Sequence, residues 1–237
     1  MADNLMRDVN ERLHREWIGM AQPEGLVVTT PALKAAEANV TWPVVELQAA
    51  LKEMAGDAKI VLDLAGFGRE ILGWSDEFVV EATDLHDALR VPLEGGEVLS
   101  PSLAVRSADE PNSFVLLVSR TDAWKADLDA ASDSQRWTAT PQQKFERLLR
   151  ETGVHVGLLS NGKVFRLVYA PKGESAGWIS FRLDDMLSSG EDSRYLLGAM
   201  HMLLNERRLL SLDPSKRLHG LLKASRDYQN TVSNALR

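Results

Sequence analysis

The chain has no cysteine, which excludes disulfides, thiolate metal sites and cysteine nucleophiles and fits a reducing compartment. It also lacks any apolar run approaching the roughly 20 residues that span a bilayer. The opening "MADNLMRDVNERLHREW" alternates charges where a secretory signal would carry an apolar segment. A cytoplasmic location is therefore expected. The five histidines, His14, His86, His155, His201 and His219, never fall at metal-ligand spacing, and no Gly-x-Ser-x-Gly, phosphate-loop or His-Glu-x-x-His motif occurs. The six tryptophans are spread along the chain and form no base-stacking cluster. Trp124 and Trp137 lie in a polar stretch, where each either contacts a partner or tucks a loop onto the core.

What is present is an apolar content of 44% in 237 residues, enough for a buried core in one large domain or two small ones. The net charge of −7 argues against a freestanding nucleic-acid binder, yet the charge is unevenly spread. Residues 1–140 carry 12 Lys+Arg against 24 Asp+Glu, whereas residues 141–173 carry 6 against 2 and residues 202–237 carry 7 against 3. A local positive face can attract phosphates on an acidic chain.

Leu5, Val9, Leu13 and Trp17 recur at spacing four and predict a helix over 4–21 opened by Asn4. "EGLVVTT" suggests a short strand; Pro31 opens a second helix capped by Thr30, and a third runs from Pro43 to about Met54. Residues 57–90 are mixed, with helical spacing at Asp63–Leu72 and Asp84–Leu89. Strands are expected from Glu97, in "EVLSPSLAVRS" and "SFVLLVSRT", followed by a polar loop at 121–140. Pro141 opens a helix capped by Thr140 and ended by Gly153, and "VHVGLLS" and "KVFRLVYA" pair across Asn161-Gly162. Helices at about 192–209 and from Pro214 onward complete the chain. The last keeps its apolar stripe to the end without a stop signal, which suggests a longer polypeptide.

Strand, strand, helix and a strand pair ending in "NGKVFRL" resembles the order of the PD-(D/E)XK nuclease core. The stretch "FERLLRETGVHVGLLSNGKVFRLVYAPKGES", with "YLLGAMHMLLNERRLLSL", "SRDYQNTVSNAL" and "RLHREWIGMAQPEGLVVTTPAL", is similar to the N-terminal region of large adenine-specific DNA methyltransferases of restriction-modification type, including those of DISARM phage defence. The resemblance is specific in 145–175 and loose in 55–95. It implies an α/β fold with a mixed central sheet of restriction endonuclease-like topology, N-terminal helices (1–95), a nuclease-like core (96–182) and a helical segment (183–237) leading to a downstream methyltransferase domain. S-adenosylmethionine would be bound in that domain and no cofactor in this chain.

A nuclease of this fold sets two carboxylates and a lysine on neighbouring strands to hold a divalent metal. The matching positions here read Pro101-Ser102 and Ser119-Arg120-Thr121, so both carboxylates are missing. A serine hydroxyl does not supply the charge that holds Mg²⁺. The expectation is a scaffold that neither cuts nor methylates. Glu97 and Asp122, with Asp109 and Glu110 nearby, are the acids that could have taken over. Lys144, Arg147, Lys163 and Arg166, with the backbone of Asn161 and Gly162, border the implied DNA groove, where phosphate contacts would position a duplex without reading its sequence. Three readings stay open: a module that engages duplex DNA, an active metal-dependent endonuclease with relocated acids, and a docking domain for a defence-system helicase or other subunit.

"KIVLDLAGFGRE" looks like a glycine-rich S-adenosylmethionine loop. The interval from Gly68 to Phe78 is too short for a parallel crossover, however, and no Asn-Pro-Pro-Tyr or Asp-Pro-Pro-Tyr follows. An amphipathic helix with Leu64, Phe67, Ile71 and Leu72 inward is expected instead.

Overall fold

Alternating apolar residues in the middle of the chain build the sheet on which everything else is assembled. The computed structural model describes residues 2–235 except 26–27, 94–95, 111, 122–126 and 132–138, and for residues 2–8 and 191 the backbone alone. Four helices come first: α1 (Ala2–Ala21), α2 (Thr30–Ala35), α3 (Val45–Ala55) and α4 (Leu64–Glu70). Strand β1 (Val79–Glu81) is followed by two 3₁₀ turns, the small hairpin β2 (Val91–Pro92) and β3 (Val98–Leu99), then β4 (Leu103–Arg106) and β5 (Phe114–Arg120). Helix α5 (Pro141–Thr152) leads to β6 (Val156–Ser160), β7 (Val164–Tyr169) and β8 (Gly177–Arg182). The chain finishes in α6 (Leu183–Leu187), α7 (Glu191–Leu204), α8 (Glu206–Leu209) and α9 (Leu218–Ala235).

The six-stranded sheet has the order β1-β4-β5-β6-β7-β8. Every neighbouring pair is antiparallel except β5 and β6, which are parallel because α5 carries the chain back between them. Side-chain alternation divides the core. Leu103, Val105, Leu116, Val118, Leu158 and Phe165 point to one face and pack with Leu33, Leu51, Phe67, Leu197 and Leu222 of the helices. Ala104, Leu117, Leu159 and Val168 point to the other, against Phe145, Leu148 and Leu149 of α5 and Leu99 of the hairpin. The first cluster runs from Leu13 to Leu222, so residues from all three segments expected from the sequence share it. Phe67 stacks on Phe165 with ring centroids 4.4 Å apart and fixes α4 to the sheet.

Helix α5 keeps the ends read from the sequence. Thr140 Oγ1 accepts from Gln143 N at 3.1 Å while Gln143 Oε1 accepts from Thr140 N at 3.0 Å, a reciprocal capping box, and Gly153 leaves the helix at φ 75. Its seat is Gly157, where a β-carbon would lie 2.4 Å from Phe145 Cζ. Helix α4 likewise matches the inward set Leu64, Phe67, Ile71 and Leu72, all buried.

Elsewhere the structure differs from the sequence reading. Of the strand expected at 24–30, Glu24 makes one bridge to Trp178, with N···O distances of 2.9 and 2.8 Å, residues 26–27 lie outside the described residues, and residues 28–30 form no strand. The cap of α2 is Thr29, one residue earlier than expected, because its hydroxyl reaches Ala32 N. The sheet starts at Val79, ahead of the expected Glu97, since β1 pairs with β4. Asn205 breaks the helix expected over 192–209 by accepting from Arg208 N at 2.9 Å, and the last helix begins at Leu218 after a 3₁₀ turn at Pro214–Lys216. Among the described residues, no helix is long and apolar enough to cross a membrane.

Candidate functional site

The two stretches matched to the nuclease pattern end side by side. Ser102 N donates to Val118 O at 2.7 Å and Ser102 Oγ accepts from Arg120 N at 3.0 Å, so β4 begins where β5 finishes. Arg120 donates through Nη1 to Leu62 O at 2.8 Å and, with Ser102, Asp63 and Glu81, lines a shallow cleft of about 240 Å³. Ser119 Oγ, one residue before Arg120, is buried without a hydrogen-bond partner among the described residues.

Both carboxylates of this cleft have structural partners. Asp63 caps α4, accepting from Gly66 N at 2.8 Å, which gives the glycine-rich "DLAGFG" a helix-starting role. Glu81 accepts from Arg69 Nη2 at 2.8 Å, and hydrogen bonds from Arg69 to Asp76 and then to Glu81 raise the guanidinium above its ordinary value. Among the described residues, no three His, Cys, Asp or Glu side chains gather as a metal requires. Glu97 stands apart on the small hairpin, where its Oε1 accepts from Lys144 Nζ at 2.7 Å. Asp122, Trp124 and Trp137 lie outside the described residues.

A second cleft, of about 630 Å³, gathers Asn161, Lys163 and Arg166 with Arg182 and Asp129. Arg166 is only 6% exposed. Its guanidinium forks onto Asp129, Nη1 to Oδ1 at 2.6 Å and Nη2 to Oδ2 at 2.8 Å, while Nε donates to Ser180 Oγ at 3.0 Å and Nη1 to Gln142 Oε1 at 3.3 Å. It also lies 5.3 Å from the Trp178 ring centroid. The hydrogen bonds from Arg166 hold the Asp129 carboxyl below the usual carboxylate range against the opposing effect of burial. Arg166 thus ties the polar loop to β7 and β8.

The Asn161-Gly162 turn is internally satisfied. Gly162 N donates to Ser160 Oγ at 2.9 Å, and Asn161 Oδ1 accepts from Lys163 N at 3.0 Å and Val164 N at 2.9 Å. Gly162 sits at φ 83, and a β-carbon there would lie 2.7 Å from Ile60 Cγ1. These amides are therefore engaged within the protein, in place of the edge presentation expected from the sequence. Lys163 and Arg147 have exposed side chains, whereas Lys144 is half-buried against Glu97. Asp129, Gln142 and Ser180 had no signal in the sequence, because only folding brings them to Arg166.

Comparison with protein-family models, with curated proteins and with solved structures finds no match to this chain. The class the fold defines is a mixed α/β protein whose six-stranded sheet lies between α5 on one face and the remaining principal helices on the other.

Proposed function

We propose that this chain is the N-terminal module of an adenine-specific DNA methyltransferase of bacterial antiphage defence, a nuclease-like scaffold that engages duplex DNA without cutting it. The observation that carries the reading is the junction of Ser102 with Arg120. The positions that the resemblance matches to a nuclease's metal-binding carboxylates are Ser102 and Ser119; Ser102 Oγ accepts from the backbone N of Arg120, the residue after Ser119, which supports their lying at adjoining strand ends. The strand directions support it too: the antiparallel run β1-β4-β5, the α5 crossover to a parallel β6 and the antiparallel β7 follow the nuclease-core order. Arg120 and Lys163 supply exposed positive charge near the sheet end, and Arg147 is exposed on α5. The methyl donor, S-adenosylmethionine, would be held by a separate domain of the polypeptide.

The test is a gel shift and cleavage assay on duplex DNA with and without Mg²⁺ or Mn²⁺. Retention without cleavage, weakening steeply with salt and lost in Arg147→Glu/Lys163→Glu, is expected, because each neutralised phosphate releases counterion. No retention at low salt would overturn the reading. Metal-dependent cuts lost on Glu97→Gln or Asp122→Asn would establish the relocated endonuclease instead.

A second reading, docking of a defence-system helicase or other subunit, is favoured by the internal engagement of Arg166 and of the 162–164 amides, which leaves fewer groups for phosphates. It predicts capture of that subunit with no change in DNA retention.

A further inference from the structure

The segment "NERRLLSLDPSK" folds around a cleft of about 380 Å³ between the end of α2, the junction of α7 and α8, and the 3₁₀ turn Pro214–Lys216. Asn205 stops α7 and caps α8, and this turns Arg207 and Arg208 toward the cleft that they line. Arg208 is half-buried, and its Nη1 donates to Ala36 O at 3.0 Å and Lys216 O at 2.6 Å. Neither Arg207 nor Arg208 forms an ion pair with a carboxylate among the described residues. Long cations are seldom taken out of water without an anion to compensate them. Burial, and after it the neighbouring Arg207, lowers the Arg208 guanidinium from its ordinary value, with Glu37 pulling the other way.

The remaining lining groups fit the same ligand. Glu37 is the one acid in the lining, and it is paired with Lys216 Nζ at 2.6 Å. Asn39 Oδ1 accepts from Asn10 Nδ2 at 2.8 Å, while among the described residues neither the Asn39 amide hydrogens nor the Ser211 hydroxyl makes a hydrogen bond. Two guanidinium groups with an amide and a hydroxyl match an anion with three oxygens and more than one negative charge. A carboxylate would satisfy a single fork.

We propose that this cleft binds the phosphate group of a small phosphomonoester, with Arg207 and Arg208 meeting its charge and Asn39 and Ser211 donating to its oxygens. The volume is in the range of small-molecule sites. Arg208 lies half-buried within a concavity, where a terminal phosphate reaches and the backbone of a stiff duplex does not. The proposal uses none of the residues of the DNA reading, so either can fail alone.

Titration calorimetry of the whole chain at low salt, with inorganic phosphate and with adenosine 5′-monophosphate as probes, tests it. Saturable binding in the millimolar range or tighter is expected. It should weaken severalfold in Arg207→Gln, tenfold or more in Arg207→Gln/Arg208→Gln, and tighten in Glu37→Gln as the opposing charge is removed. Arg207 is exposed, so its variant keeps the test valid if Arg208→Gln disturbs the α2 contact. Absence of saturation, or affinities unmoved by Arg207→Gln and Glu37→Gln, would overturn the site. Competitive displacement of phosphate by duplex DNA would overturn the small-molecule assignment.

Discussion

At Arg166 a side chain expected from the sequence to face DNA has become a structural tie. A guanidinium buried at the middle of β7 needs an anion and acceptors, and Asp129, Gln142 and Ser180 provide them. Removing one partner from a fully buried pair costs about 3–5 kcal/mol, less where water can reach the partner left behind. Asp129 has a side chain 49% exposed and Arg166 one 8% exposed, so the two deletions are unequal. Asp129→Ala leaves the buried cation without its carboxylate and is expected to cost about 2 kcal/mol or more, read from urea unfolding. Arg166→Met keeps the stem and leaves a hydratable acid, so it should cost less; an equal or larger loss would show that Arg166 acts chiefly through packing. At Gly162, φ 83 and the 2.7 Å approach to Ile60 Cγ1 make Gly162→Ala destabilising by about 1 kcal/mol or more.

Among the elements, α5 and the hairpin β6–β7 were legible because their signals are local. A threonine before a proline, a glutamine three residues into the helix and a glycine after its end act within one turn of chain, and they do so here. Thr140→Ala is expected to cost about 1 kcal/mol in thermal or urea unfolding. Leu149→Ala, on the inner face of the same helix and fully buried, should cost about 2–5 kcal/mol. Strand β1 was not legible. Three residues, "VVE", have no periodicity to read, and they are a strand only because β4 offers its edge to them. The Arg207–Arg208 cleft was invisible for a related reason: its walls come from residues 36–39 and 202–216, which meet only when α2 packs beside α9 and Arg208 reaches Ala36 O.

For the molecule as a whole, the response to mild acid falls to three histidines, of which His14 is buried, His201 half-buried and His219 exposed but partly desolvated on α9. His14, His201 and His219 are each held below the ordinary imidazole value, in every case first by burial, and for His219 also by the nearby His155 and Lys223. The unfolded chain therefore takes up these protons before the folded one as pH falls. Their contribution to stability is complete above the ordinary histidine value of about 6.5 and is lost as pH drops from there through the depressed folded values. The urea midpoint should be lower at pH 5.5 than at pH 7.5 by an amount reduced in His201→Gln; a midpoint independent of pH in this window would refute the assignment.

By itself the sequence determined the helix-rich ends, the capped helix at 141–151, the hairpin at 161–162 and the pairing of apolar faces, because capping, turn geometry and side-chain periodicity operate over a few residues. The resemblance to a nuclease core, with serines at 102 and 119 where it would have carboxylates, likewise rests on residue identity alone and stays a proposal. Only the tertiary structure decided that Ser102 adjoins Arg120, that Arg166 is bound to Asp129 and that Arg208 is half-buried against the carbonyl of Ala36 with no ion pair to a carboxylate among the described residues. Each depends on residues 18 to 172 positions apart, and which charges are paired after folding is fixed by packing, which no local pattern encodes.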